Sequence, residues 1–414
     1  METDRIRATY LLRTAGDAAQ VAETVAGEQS SGTFVRLAGE SAALRDRAAA
    51  RVERLHEVAD SGLPPLPGCR PGAMRSFEME LSWPLETIGA SLPNLMATVP
   101  GNLFELKDVA GLKLTGLALP DAFLAPQPGP AFGVEGTRQL SGVPRGPLIG
   151  TIIKPSVGLS PQETAALVQE LAEGGIDFIK DDELQADGPA CPFDDRVRAV
   201  LAVLDRHAAR TGKRVMYAAN LTGDIDEMRR RHDMLESLGG TCAMLSLNSV
   251  GMAGVLAFRR HSTLPIHAHR NGWGYLGRSV DNGWSYPAWS MLWRMAGVDH
   301  MHVNGPDNKF WEGDDSVIAS ARALLTPLSG SRSMAAMPVF SSGQTVRQAH
   351  GTWQRLGSAD LIHCAGGGII GHPAGTRGGV QAFRDAWDAA QSGSPLTEAA
   401  QRSPMLAQAM EAFR

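Results

Sequence analysis

Residues 174–183 read GGIDFIKDDE, a short apolar run that ends in one cation and three carboxylates. Side chains alternate across a β-strand, so Lys180 and Asp182 share a face while Asp181 points the other way. Glu183, just past the strand end, can turn back to the same point. Two carboxylates and a lysine then converge. Hard oxygen donors suit Mg²⁺, which prefers an octahedral shell and keeps water or substrate oxygens within it. A protonated lysine would repel such an ion. The conflict disappears if the amine is neutral, or if reaction with CO₂ has made it an anionic carbamate.

Other apolar runs end in the same polar way. LIGTIIKP ends on Lys154, RVMYAANLT on Asn220, LPIHAHRNG on His267, His269 and Arg270, and VDHMHVNG on His300 and His302. AMPVFSSG closes with Ser341, Ser342 and Gly343, and LIHCAGGGIIG with Gly366, Gly367 and Gly368. Alternation places His267 with His269, and His300 with His302. Paired histidines suggest zinc, but zinc sites seldom mix with so many hard oxygen donors. Anion binding or proton transfer suits them better, because Arg270 follows directly and a guanidinium can hold a phosphate bidentately. The glycines expose backbone N–H groups, which also cradle phosphate. Taken singly, each tail has an ordinary explanation: a solvated lysine, a hydrogen-bonded core histidine, a turn. Their convergence on one place does not.

That place is set by the elements. From about residue 148, eight apolar strands alternate with helix-like stretches such as SPQETAALVQELAEGG and FDDRVRAVLAVLDRHAART. This is the pattern of a parallel (β/α)₈ (TIM) barrel, whose function sits at the C-terminal ends of its strands. An open doubly wound sheet does not ask for eight similar units. The first 125 or so residues differ in texture. DRIRATYLLRT and RSFEMELSWP alternate like half-solvated strands, ESAALRDRAAARVERL has helix-forming composition, and LPPLPGCRPG is a proline-punctuated loop. The proline- and glycine-rich DAFLAPQPGPAFGVEG reads as a domain link. The expected fold is therefore α/β: an N-terminal α+β, ferredoxin-like domain over residues 1–126, then a (β/α)₈ barrel domain over 127–414.

Composition narrows the partners. The chain has 414 residues, 43% hydrophobic and 20% charged, with a formal net charge of -5, which gives no electrostatic reason to expect nucleic acid or an anionic membrane. Its four cysteines, Cys69, Cys191, Cys242 and Cys364, have no metal-ligand spacing and suit buried free thiols in a reducing compartment. The opening METDRIRATYLLRT is charged where a signal peptide needs an apolar core, and no apolar run reaches the ~18 to 20 residues of a membrane span. A cytoplasmic protein is expected.

GTIIKPSVGLSP followed by GGIDFIKDDE closely resembles the large chain of ribulose-bisphosphate carboxylase and its non-carboxylating relatives, the RuBisCO-like proteins. The resemblance spans most of the chain, because GEQSSGTF, PGNLFE, HAHR, the His300/His302 pair and AGGGIIGHP fall in the family's order. It implies a carbamylated Lys180 that binds Mg²⁺ together with Asp182 and Glu183. It implies that Lys154 handles an enolate oxygen or its proton, that His269 transfers protons and touches substrate, and that Lys309 is a loop lysine acting at the site. Arg270 and His302 match one phosphate site; Thr33, Gly343, Gly366 and Gly367 match the other; Ser341 matches a contact to a substrate hydroxyl. Glu28 and Asn102 match residues that complete the neighbouring subunit's site, which implies a homodimer with shared active sites and no small subunit.

Departures from the pattern bear on the reaction. Ser156 stands where carboxylases carry a second lysine, Phe34 where they carry tryptophan, and Ser342 where they carry the first glycine of that loop. Loss of the Ser156-position lysine removes a cation from the site that manages enediol and CO₂, so net carboxylation is not expected. The expected function is Mg²⁺-dependent enolate chemistry on a phosphorylated 3-oxo sugar acid, by decarboxylation or by carboxyl transfer and hydrolysis. The alternative is a methionine-salvage enolase or isomerase acting on a methylthio-sugar phosphate. A true carboxylase ranks below both. A silent scaffold would have lost some of Lys154, Lys180, Asp182 and Glu183, and all four are present.

Overall fold

The computed structural model of the protein describes residues 4–32 and 39–414. It divides into two units: Met1–Gln127 with Gly272–Met295 and Leu328–Ser333, and Pro128–Asn271 with Ala296–Pro327 and Met334–Arg414. Thr33 and Phe34 lie outside the described residues.

The first unit is built on β1 (Arg5–Thr14), β2 (Arg51–Val58), β3 (Arg75–Pro84) and β4 (Gly111–Ala118). Helix Ala18–Glu28 lies between β1 and β2, and helix Leu92–Thr98 between β3 and β4. The spatial order β4-β1-β3-β2 is that of the βαββαβ, ferredoxin-like motif. In β1 every second residue (Ile6, Ala8, Tyr10, Leu12) is buried, so the period-2 pattern reports a true core face. Asp17 caps the first helix by accepting from Gln20 N–H, and Val21, Ala22, Val25 and Ala26 form its buried stripe. ESAALRDRAAARVERL is only half a helix: it stops at Ala48, and Arg51–Val58 is β2. Propensity favours helix there, but the antiparallel ladder to β3 prevails. The two-residue strand Gly283–Trp284 (β10), from the second segment of this unit, pairs in parallel with β4.

The second unit is a closed barrel of eight parallel strands. These are β5 (Leu148–Ile152), β6 (Phe178–Lys180), β7 (Met216–Asn220), β8 (Cys242–Ser246), β9 (Ile266–His269), β11 (His300–His302), β12 (Met337–Phe340) and β13 (Ile362–Cys364); β10 is Gly283–Trp284. Leu148, Phe178, Met216, Met244, Val339 and Ile362 belong to one buried cluster, so the lumen is a packed core rather than a pore. Helix starts are specified locally. Ser160 and Glu163 form a reciprocal capping box, with Pro161 at the first helical position.

Carboxylates at the N-terminal ends of the strands tie the barrel shut. Asp177, just before β6, accepts from Ile149 N–H (2.9 Å), Lys213 Nζ (2.6 Å) and Arg384 Nη2 (2.8 Å). Asp299, just before β11, accepts from the N–H groups of Phe132 (2.6 Å), Gly133 (2.9 Å) and Ile266 (2.8 Å), and from Arg259 Nη1 (3.4 Å). All four cysteines are free. Among the described residues, no helix is long and apolar enough to cross a membrane.

Candidate active site

The C-terminal ends of the barrel strands bring the chemical residues together. Lys180 closes β6 with its side chain fully buried, 3.5 Å from Glu183 Oε2. Its Nζ is a buried polar atom without a hydrogen-bond partner among the described residues. Asp182 is buried beside it and accepts from Lys154 Nζ at 2.7 Å; the same amine donates to Ser156 Oγ at 2.7 Å. Asp181 faces the other way. It accepts from Tyr217 Oη (2.6 Å), Arg196 Nε (3.2 Å) and the Asn220 N–H (2.9 Å).

This division of labour follows from strand alternation. Lys180 and Asp182 point to the mouth, whereas Asp181 knits β6 to β7 and to helix Phe193–Thr211. Asn220 completes the knot, because its Nδ2 donates to the backbone oxygens of Asp182 (3.2 Å) and Glu183 (3.3 Å). Arg196 also donates to the carbonyls of Cys191, Gln185 and Ala186, so it pins the loop that follows Glu183.

Charge at the mouth is finely balanced. Burial works to raise the Asp182 carboxyl, but the Lys154 bond, the Leu184 N–H and the Lys180 charge hold it below the usual carboxylate range. Burial likewise opposes ionisation of Glu183, and the neighbouring His269 and Lys180 outweigh it. His269 is pushed down to about 4 by burial and then by Lys180. Its Nδ1 accepts from Asn271 N–H (3.2 Å), which leaves the ring proton on Nε2, 3.3 Å from Glu183 Oε2.

Below His269 the imidazoles stack into the barrel. His269 and His302 have ring centroids 4.6 Å apart, His302 and His267 4.9 Å, and His267 and Phe178 5.1 Å. His267 Nε2 and His302 Nε2 share a hydrogen bond (2.8 Å), and His302 Nδ1 meets Ser341 Oγ at 3.0 Å. His300 lies deeper, bonded through Nε2 to Thr137 Oγ1 (2.8 Å). Burial lowers the pKa of all three.

The loops after β11, β12 and β13 close the other side. Lys309 is exposed; its N–H donates to Ser342 O (3.2 Å) and its Nζ lies 5.3 Å from the Phe310 ring centroid. Ser342 holds φ 74°, a left-handed conformation uncommon for a side-chain-bearing residue, next to Gly343 at φ 85°. Gly366 borders Lys154: a Cβ placed on it would lie 3.5 Å from the lysine's Cε. Gly367 opens the short turn Gly367–Ile370.

Glu28 and Asn102 are exposed residues of the first unit. Gln29, with its amide oriented to satisfy its neighbours, accepts from Asn102 N–H (2.7 Å) and so links the two positions within that unit.

The buried Lys180 amine decides whether this donor set fits a metal. An ammonium carries three donors, and burying it without acceptors is costly. Conversion to a carbamate supplies oxygens at that position, next to Asp182 and Glu183. The residues present fit a Mg²⁺ site with a carbamylated lysine. They do not resemble a closed structural zinc site.

A family model described as the ribulose bisphosphate carboxylase large chain, catalytic domain, matches residues 133–413, and one described as its N-terminal domain matches residues 3–123. The chain belongs to the RuBisCO large-chain family. A 3-oxo-isoapionate-4-phosphate transcarboxylase/hydrolase from Xanthobacter autotrophicus (strain ATCC BAA-1158 / Py2) is 58% identical over 413 residues, covering 100% of each chain. A 3-oxo-isoapionate-4-phosphate decarboxylase from Rhizobium rhizogenes (strain K84 / ATCC BAA-868) is 41% identical, covering 99% of this chain and 98% of the relative. The crystal structure of a RuBisCO-like protein from Burkholderia fungorum matches with a TM-score of 0.94 and 44% identity, covering 99% of this chain and 100% of that one.

Three contributors escaped the sequence reading. Arg196 sits on the buried stripe of helix Phe193–Thr211 among Phe193, Val197, Val200 and Leu204. A charged residue on an apolar stripe is a signal that it has a buried partner. Glu312, which accepts from Arg270 Nη2, and Asn304, which accepts from Ser342 Oγ, lie in the segment after β11, where no periodicity marks them.

Proposed function

We propose that this RuBisCO-like protein is a Mg²⁺-dependent enzyme that cleaves the carboxyl group from a phosphorylated 3-oxo sugar acid, by decarboxylation or by carboxyl transfer followed by hydrolysis. One observation carries this: Lys154, Lys180, Asp182 and Glu183 form a single cluster at the mouth, with Ser156 rather than a lysine bonded to Lys154. The two relatives above, named for 3-oxo-isoapionate-4-phosphate chemistry, support the substrate class.

Carbamylated Lys180, Asp182 and Glu183 would hold Mg²⁺, which supplies Lewis-acid polarisation of the ketone and an adjacent hydroxyl. The carboxylate of a 3-oxo acid lies β to the ketone. When that C–C bond breaks, its electron pair passes into an enolate. Lys154, held by Asp182 and Ser156, presents an N–H where an enolate oxygen develops. His269 carries a proton on Nε2 beside Glu183 and is placed to exchange it with the substrate. Lys309, exposed on the loop after β11, would act on the substrate from that loop. Arg270 and His302 would form one anion subsite, Gly343, Gly366 and Gly367 would contribute to the phosphate subsite, and Ser341 would take a substrate hydroxyl; Thr33, which the resemblance assigns to that phosphate site, lies outside the described residues.

We further propose a cytoplasmic homodimer without a small subunit, divided in sequence at 126/127. Glu28 and Asn102 of the partner subunit would complete each site.

The test is turnover of a phosphorylated 3-oxo sugar acid with Mg²⁺ and bicarbonate, read as loss of the carboxyl carbon, beside a methylthio-sugar phosphate. Release from the first substrate alone is expected. Enolisation of the second without reaction of the first would assign the protein to the methionine-salvage branch.

A further inference from the structure

Glu312 lies in the loop between β11 and helix Asp314–Leu325, three residues after Lys309, and is 5% exposed. Arg270 Nη2 and Asn304 Nδ2 each donate to its Oε2 at 2.8 Å, and Ser316 Oγ donates to its Oε1 at 2.9 Å. Arg270 and Asn304 are themselves 8% and 3% exposed, so the pair sits inside the protein and not on a mobile surface. Asn304 Oδ1 accepts from Ser342 Oγ at 2.7 Å, which fixes the asparagine that in turn fixes the carboxylate. The loop is tied down on both sides: Asn308 Nδ2 donates to the carbonyls of Gly305 and Glu312, and Gln344 Nε2 donates to Pro306 O. Glu312 is thus a built-in counter-ion for Arg270, held by donors from two loops and the first turn of the helix that follows it.

We propose that Glu312 is a specificity-determining residue that restricts the Arg270 subsite to a neutral or singly charged end of the substrate. A guanidinium alone in a buried site strongly favours a phosphate dianion. Paired with a carboxylate it forms a neutral unit, and a dianion placed there meets the Glu312 charge at short range in a medium that screens poorly. Specificity of this kind comes from the repulsive element as much as the attractive one. The substrate's single phosphate then belongs at the loops after β12 and β13, with its carboxylate or a hydroxyl towards Arg270. The protein selects sugar monophosphates and rejects bisphosphates. This inference rests on the phosphorylated-substrate function proposed above.

Calorimetric binding of ribulose 5-phosphate and ribulose 1,5-bisphosphate to the full chain, with Mg²⁺ and bicarbonate, tests it in the wild type and in Glu312→Gln. Glutamine keeps an acceptor oxygen for Arg270 and Asn304 but removes the charge. The wild type should bind the monophosphate at least as tightly as the bisphosphate. Glu312→Gln should improve bisphosphate affinity about tenfold more than monophosphate affinity. A wild-type preference for the bisphosphate overturns the proposal even if the variant does not fold, and so does an equal shift of both ligands in the variant. Binding of neither sugar phosphate by the wild type would overturn the phosphorylated-substrate reading and the Glu312 role with it.

Discussion

The two ends of the barrel handle buried charge in opposite ways. At the N-terminal ends of the strands, Asp177 and Asp299 each accept from several backbone N–H groups or basic side chains. At the C-terminal ends, Lys180 Nζ is buried with no hydrogen-bond partner among the described residues, and Lys154, Asp182, Glu183 and His269 sit in short contacts around it. Buried charges ordinarily come fully paired. Asp177 and Asp299 obey that rule and hold the fold. Lys180 departs from it, and the departure is what a ligand-binding site looks like before its ligand is counted.

The sharpest way to break this comparison is to remove the lysine. Lys180→Met should abolish metal-dependent turnover while changing thermal stability little, since a buried amine without a hydrogen-bond partner, 3.5 Å from the part-exposed Glu183 carboxylate, is replaced by an apolar chain of similar length. A large fall in melting temperature would mean that Lys180 supports the fold instead. Asp299→Ala is the converse experiment. It strands the buried Arg259 and three backbone N–H groups, so chemical denaturation should report a loss of about 3–5 kcal/mol.

Asn220→Ala sits between these extremes. It removes the two bonds to the backbone of Asp182 and Glu183 without touching their carboxylates. Residues that orient metal ligands are worth about 10–100-fold in metal affinity, so a Mg²⁺ titration should show a loss of that size. Wild-type affinity in this variant would detach the Asp181–Asn220 knot from the site.

The smallest effect expected is on pH. Burial pushes His300 and His363 from the ordinary 6.5 down to about 3. Between those values the unfolded chain binds these protons and the folded one does not. Their contribution is therefore complete above about pH 6.5 and is lost as the pH falls towards 3. His363→Gln, which can still accept from Trp387 Nε1, should flatten that acid slope by up to one proton in a denaturation series across the window.

The barrel was legible because each strand is short, apolar and followed by a polar tail, a pattern that depends on local residue order alone. The convergence of Lys180, Asp182 and Glu183 was legible for the same reason: alternation is a local rule. Arg51–Leu55 carries helix-forming composition yet lies in β2, because its partner β3 begins 17 residues beyond the end of β2 and a ladder between distant segments leaves no local periodicity. Glu312 was invisible for a related reason. Its meaning comes from Arg270, 42 residues away, and from a loop whose shape no propensity encodes.

The central claim is that the unsatisfied Lys180 amine is completed by CO₂ and then serves with Asp182 and Glu183 as a metal site. Labelling the protein with ¹³C-bicarbonate and Mg²⁺ and recording its carbon NMR spectrum tests this directly. A carbamate resonance that requires Lys180 and vanishes in Lys180→Met is predicted. A spectrum identical in the two proteins, with Mg²⁺ still bound by the wild type, would contradict it.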